Sequence, residues 1–134
     1  MERTSQRLFL LLVLLQAAHS IEEFATGLYR VFAPAGFVSG LVAGDPGTGF
    51  AIVNATLVIF GLWCYFVPVR QGWPSARGWA WLWVTVELAN GILHTGIAVS
   101  SGAYFPGAVT APVLFVVAAS LALLLHRAQP QPTE

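Results

Sequence analysis

Residues 8–29 read LFLLLVLLQAAHSIEEFATGLY, an apolar run into which His19, Glu22 and Glu23 are set. About 22 residues at 1.5 Å rise each cover the roughly 30 Å hydrocarbon core of a bilayer, so the stretch predicts a spanning helix. Ionisable side chains cost about 2.5–3.5 kcal/mol each at the centre of such a helix on insertion scales, so an imidazole and two carboxylates in one turn require partners. The run also admits a rival reading. A basic start at Arg3 and Arg7, an apolar stretch from Leu8 to Leu15 and small residues at Ala17, Ala18 and Ser20 form the pattern of a cleaved secretory signal. Cleavage there removes His19 or leaves it near a new end.

The rest of the chain favours the spanning helix. Of 134 residues, 57% are apolar and 9% charged, against roughly 25% charged in soluble domains, so the expectation is a single all-α membrane domain over residues 1–134. The formal net charge is +0 and no basic cluster is present, which argues against a nucleic-acid partner. All six cations are arginine, a bias that goes with a GC-rich bacterial genome. A single cysteine, Cys64, excludes an internal disulfide and any cysteine-based metal cluster.

Three further apolar segments follow, at about 50–67, 79–100 and 108–125, so a four-transmembrane-helix bundle is expected. Between the first two spans, residues 31–49 carry Pro34, Pro46 and Gly36, Gly40 and Gly44. The glycines fall on one helical face, as in small-xxx-small packing. The apolar part between the prolines is too short to span, which points to a Gly/Pro-rich re-entrant or interfacial segment, with a flexible loop as the plainer reading. Trp79, Trp81 and Trp83 open the third span where an aromatic belt is expected. The tail from 127 to 134, with Pro130 and Pro132, is expected to be disordered. Arg3, Arg7, Arg70, Arg77 and Arg127 fall on the side of the termini and only Arg30 opposite. The positive-inside rule then places both termini in the cytoplasm of a bacterial inner membrane.

Polar residues in separate spans share a depth. Counting at 1.5 Å per residue from Leu8 and Trp79, His19 lies at ~16 Å, Glu22 and Glu23 at ~21–23 Å, Glu87 at ~12 Å, Asn90 at ~16 Å and His94 at ~22 Å. Asn54, counted down from the opposite edge, falls at ~24 Å. At about 100° per residue His19, Glu22 and Glu23 lie within roughly a 100° arc and Glu87, Asn90 and His94 within roughly 60°. Two polar faces in a lipid-embedded bundle turn toward each other, since exposing either to acyl chains costs more. One polar core in the outer half of the membrane is therefore expected from His19, Glu22, Glu23, Asn54, Glu87, Asn90 and His94.

His19-Ser20-Ile21-Glu22-Glu23 resembles the motif that names the HXXEE family of small integral membrane proteins. Glu87-x-x-Asn90-x-x-x-His94 with Tyr104-x-Pro106-Gly107 looks like that family's second patterned region, so the resemblance runs from about Leu12 to about Leu124. It implies membrane character and joint action of His19, Glu22 and Glu23, without an assigned activity.

Imidazole and carboxylate are ligand types for Zn²⁺, Fe²⁺ or Mn²⁺, and the expected metal ligands are His19, Glu22, Glu23, Glu87 and His94, with Asn54 and Asn90 orienting them. Di-iron four-helix proteins use a similar stoichiometry but a different spacing, Glu-x-x-His. A divalent cation would also offset the cost of burying three carboxylates. The leading reading is a membrane metalloenzyme acting on a hydrophobic or lipid-like small molecule, with Glu22, Glu23 and Glu87 as catalytic carboxylates. A second is a metal-free acid–base isomerase or cyclase in the bilayer, built on Glu–His pairs that hold a donor and an acceptor near neutrality. A third is a non-enzymatic structural or accessory membrane protein whose polar residues serve only as glue between helices.

Overall fold

The computed structural model describes residues 1–128, so the tail expected to be disordered lies, from residue 129, outside the described residues. Six α-helices and no strand are found among the described residues. They are α1 (Arg3–Thr26), α2 (Leu28–Val31), α3 (Ala33–Val42), α4 (Pro46–Cys64), α5 (Ala76–Ser101) and α6 (Ala111–Arg127), with a π-helical turn, Tyr65–Val69, continuing α4. Three are long and apolar enough to cross a membrane: α1, α4 with its π turn, and α5. Helix α6 is apolar but shorter, at 17 residues.

The helix ends differ from the sequence expectation for identifiable reasons. Helix α1 stops at Thr26 rather than near Tyr29 because Gly27 takes a left-handed conformation, φ 75°, and its amide reaches back to the carbonyls of Glu23 and Phe24. Helix α4 starts four residues before Phe50. Asp45 accepts from the Thr48 amide at 2.8 Å and Pro46 sits in the first turn, where its missing N–H costs nothing. Pro68 does not end this helix, because the π turn absorbs the proline and helical backbone runs on to Gln71. Helix α6 begins at Ala111, after Thr110, with a proline in its first turn.

The segment between α1 and α4 is helical: α2 is one turn and α3 ten residues, packed on α4. Its glycines do not form a packing stripe. A Cβ on Gly36 would meet the Tyr29 carbonyl, whereas Gly40 and Gly44 face open space.

Helix α1 packs against α4 and α6, and α5 packs mainly on α6, so α1 and α5 stand diagonally across the bundle with little backbone contact between them. The diagonal space is divided along its length. At the end nearer the termini it is filled by Phe9, Leu12 and Val13 of α1, Trp83 and Val84 of α5, and Leu121 and Leu125 of α6. Trp83, expected at a membrane interface, belongs to this core: it is 2% exposed and packs edge-on to Phe9. Arg77 closes that end by donating to the carbonyls of Leu125 and Ala128, where the C-terminal dipole of α6 favours a cation. Toward the other end the diagonal holds Gln16, His19, Glu23, Glu87 and His94, all buried.

Candidate metal centre

His19 and Glu23 are one helical turn apart and so point the same way from α1. His94 meets them from α5: its Nε2 and that of His19 each lie 3.2 Å from Glu23 Oε1. The two rings are edge to face with centroids 4.8 Å apart. One ligand atom from each of the three residues falls within 4.8 Å of the others, and all three side chains are buried.

The surrounding hydrogen bonds decide which ring nitrogens carry protons. His94 Nδ1 lies 2.6 Å from the Pro106 carbonyl, which can only accept, so Nδ1 holds the hydrogen. His19 Nδ1 lies 2.6 Å from Thr110 Oγ1, and that hydroxyl gives its single proton to Glu22 Oε2 at 2.6 Å. His19 Nδ1 must therefore donate as well. In the neutral rings both Nε2 atoms are left as lone pairs 3.2 Å from a carboxylate oxygen. His19 Nε2 is buried and makes no hydrogen bond, its contact with Glu23 being too poorly aligned for one. Three lone-pair atoms thus converge in a buried space, a donor set that fits a cation between them. Two histidines whose other nitrogens donate to a carbonyl and a hydroxyl are oriented as metal-bound histidines are.

The adjacent carboxylates of the motif part company. Glu22, about 100° round the helix from Glu23, turns to the loop before α6. It accepts from the amides of Val109 (3.1 Å) and Thr110 (2.9 Å), from Thr110 Oγ1 and from the Tyr104 hydroxyl at 2.7 Å. These amides belong to the turn that leads into α6, so the carboxylate also stands near the positive N-terminal end of that helix. Tyr104 lies beyond the end of α5. Its phenol is pushed above the ordinary range, first by desolvation and then by its bond to Glu22, so it remains a donor into alkaline solution.

Gly107 makes the convergence possible. Its φ is 89°, and a Cβ there would stand 2.6 Å from both His19 Cε1 and His94 Nδ1. The loop thus lies directly on the two rings.

Of the residues expected at one site, His19, Glu23 and His94 come together, while Glu22, Glu87, Asn54 and Asn90 stand outside the group. Glu87 is fully buried, and the Gln16 amide, with its nitrogen turned to the carboxylate, donates to both oxygens at 2.8 and 3.1 Å. Asn54 accepts from Ser20 Oγ at 2.7 Å and donates to the Phe50 carbonyl, so it ties α1 to α4 instead of orienting a histidine. Asn90 Nδ2 lies 3.4 Å from the Gln16 amide. Thr110, Pro106, Gly107 and Gln16 are the residues that spacing alone missed. Thr110 stands just before an Ala-Pro helix start, the one signal that could have drawn attention to it.

No curated protein and no solved structure matches the chain. Residues 10–122 match the family described as a protein of unknown function with HXXEE motif, which here is His19-Ser20-Ile21-Glu22-Glu23, and the chain belongs to that family.

Proposed function

We propose that the chain is an integral membrane protein of four spanning helices, α1, α4, α5 and α6, which holds a divalent metal ion on His19, Glu23 and His94 and acts with it on a hydrophobic substrate. The observation that carries the metal reading is the pair of Nε2 lone pairs facing Glu23, each fixed by a hydrogen bond from the far side of its ring. Two histidines and one carboxylate are the protein ligands of catalytic zinc sites and of non-haem iron(II) sites, and three such ligands leave positions for a substrate. When bound, such an ion supplies Lewis acidity, polarising a substrate oxygen or lowering the pKa of water.

The chain's own residues divide the remaining work. Thr110 and the Pro106 carbonyl orient the rings, and Glu22 anchors the loop that carries both. Glu87, held by Gln16, is the carboxyl outside the ligand set that can hold or release a proton.

Membrane insertion is supported by the three long apolar helices and by large apolar side chains left outside, among them Ile21 (69% exposed), Leu41 (71%), Ile59 (66%) and Val99 (76%). Helix α6, at about 26 Å, is a few ångströms short of the hydrocarbon thickness, a mismatch that bilayers accommodate at modest cost. Helix α3 is then the interfacial segment, and the arginines put both termini in the cytoplasm of an inner membrane.

Elemental analysis of detergent-purified protein tests the metal reading: about one zinc, iron or manganese per chain is expected, falling at least tenfold in His94→Ala. Protein prepared without chelators that contains no stoichiometric metal overturns it. Activity that survives chelation would transfer the chemistry to metal-free acid–base catalysis by Glu87.

A further inference from the structure

Helices α4 and α5 meet through Phe60 and Trp63 against Trp79 and Trp83 near the termini, and farther along, where α3 borders the gap with Val38 and Ser39, a cavity of 360 Å³ opens between them. Its floor is polar, formed by Gln16, Glu23, Asn54 and Asn90, and its walls are apolar, with Val53 and Leu57 on α4 and Ala89 and Leu93 on α5. Glu23 is also a member of the ligand group, so floor and candidate metal centre are continuous. We infer that this cleft admits a single-chain lipid from the bilayer and brings an uncharged oxygen head group, an alcohol or carbonyl, to Glu23 and the amides beside it. The inference rests on the proposed membrane metal site and names its substrate class.

Three features select this occupant. The volume lies at the low end of small-molecule sites, with room for one chain and not for the two of a phospholipid. None of the arginines lines the cavity, and a divalent cation already shared with Glu23 would leave only about one positive charge against the roughly two negative charges of an alkyl phosphate head. Asn90, whose nearest amide partner is 3.4 Å away, can by contrast donate to and accept from a neutral oxygen, and a few convergent polar groups at the end of an apolar slot are what fix a ligand's orientation. The outer rim is apolar and exposed, Val86 at 41% and Leu93 at 43%, so entry is sideways from lipid.

Purified protein in nanodiscs, exposed to a photoactivatable 14-carbon alcohol, tests this. Labelling is expected within residues 53–57 and 86–93. An excess of unlabelled tetradecanol should suppress it at least fivefold, and tetradecyl phosphate should not. Ala89→Trp, and independently Val53→Phe from the opposite wall, should reduce labelling at least fivefold with metal content unchanged on the same samples. Labelling that persists in both variants, equal competition by the alkyl phosphate, or cross-links between protein copies at these positions overturns the inference. Labelling as expected on protein that contains no metal overturns the metal reading and leaves the lipid site standing.

Discussion

Glu22 and Glu23 are neighbours with different tasks, and the difference comes from a loop that helix counting does not see. Depth and facing, read from residue spacing, brought His19, Glu23 and His94 to one layer. The 100° between the two carboxylates was too small to separate them on that basis, and only the return of residues 102–110 across the end of the bundle supplies Glu22 with amides of its own. Substitutions should therefore divide. Glu23→Gln is expected to abolish stoichiometric metal, as loss of a ligand does. Thr110→Val, which breaks the link from Glu22 to His19 Nδ1 while keeping the shape, should weaken metal affinity about 10–100-fold, the usual cost of losing a partner behind a ligand. Isothermal titration of the apo proteins with Zn²⁺ separates the two, and equal affinities of Thr110→Val and wild type would remove Thr110 from the site. Gly107→Ala is harsher: a methyl would collide with both rings, and φ 89° strains any L-residue. It should lose metal while keeping wild-type helix content by circular dichroism.

At the scale of elements, the existence and order of the long helices were legible from apolar runs, and their ends were not. A proline ordinarily bounds a helix from outside, yet Pro46 opens α4 and Pro68 is accommodated by a π turn. The Asp45-Pro46 pair is a cap followed by a proline in the first turn, a local signal that the breaker reading of proline obscured. Asp45 provides a test of that cap. Its carboxyl is held below its ordinary 3.8, chiefly by the Thr48 hydroxyl and then by the Thr48 amide. A carboxyl depressed in the folded state contributes stability that is present above the ordinary value and is lost as pH falls through the folded one. The melting temperature of detergent-solubilised wild type should accordingly drop below about pH 4, as the cap is protonated. Asp45→Asn, which caps without a charge, should melt close to wild type at pH 7 and lose this part of the acid dependence. An unchanged acid limb in Asp45→Asn would show that other carboxylates govern it.

Over the whole molecule, the polar residues occupy the diagonal of the bundle, where α1 and α5 face each other with little backbone contact. Sequence reading anticipated that their polar faces meet, because lipid leaves such faces nowhere else to turn. It could not anticipate the diagonal arrangement, which is set by the close packing of α5 on α6: there Gly91 admits Phe115, whose Cβ stands 2.7 Å from where a glycine side chain would begin. The arrangement has a consequence for stability. An apolar core joins α1 and α5 near the termini, but in the other half the two helices are joined by the Gln16–Glu87 hydrogen bonds and by His19, Glu23 and His94, so a bound cation would add a cross-link there. A ligand that binds only the folded state stabilises it by RT ln(1 + [L]/Kd), about 2.7 kcal/mol at a hundredfold excess over Kd. Thermal melting in detergent should therefore shift upward with free Zn²⁺ and fall on chelation, and His94→Ala, which also loses a buried ring and its bond to Pro106, should melt below chelated wild type and ignore added metal. A melting point that is indifferent to metal in wild type would mean that the three side chains close the bundle without a cation.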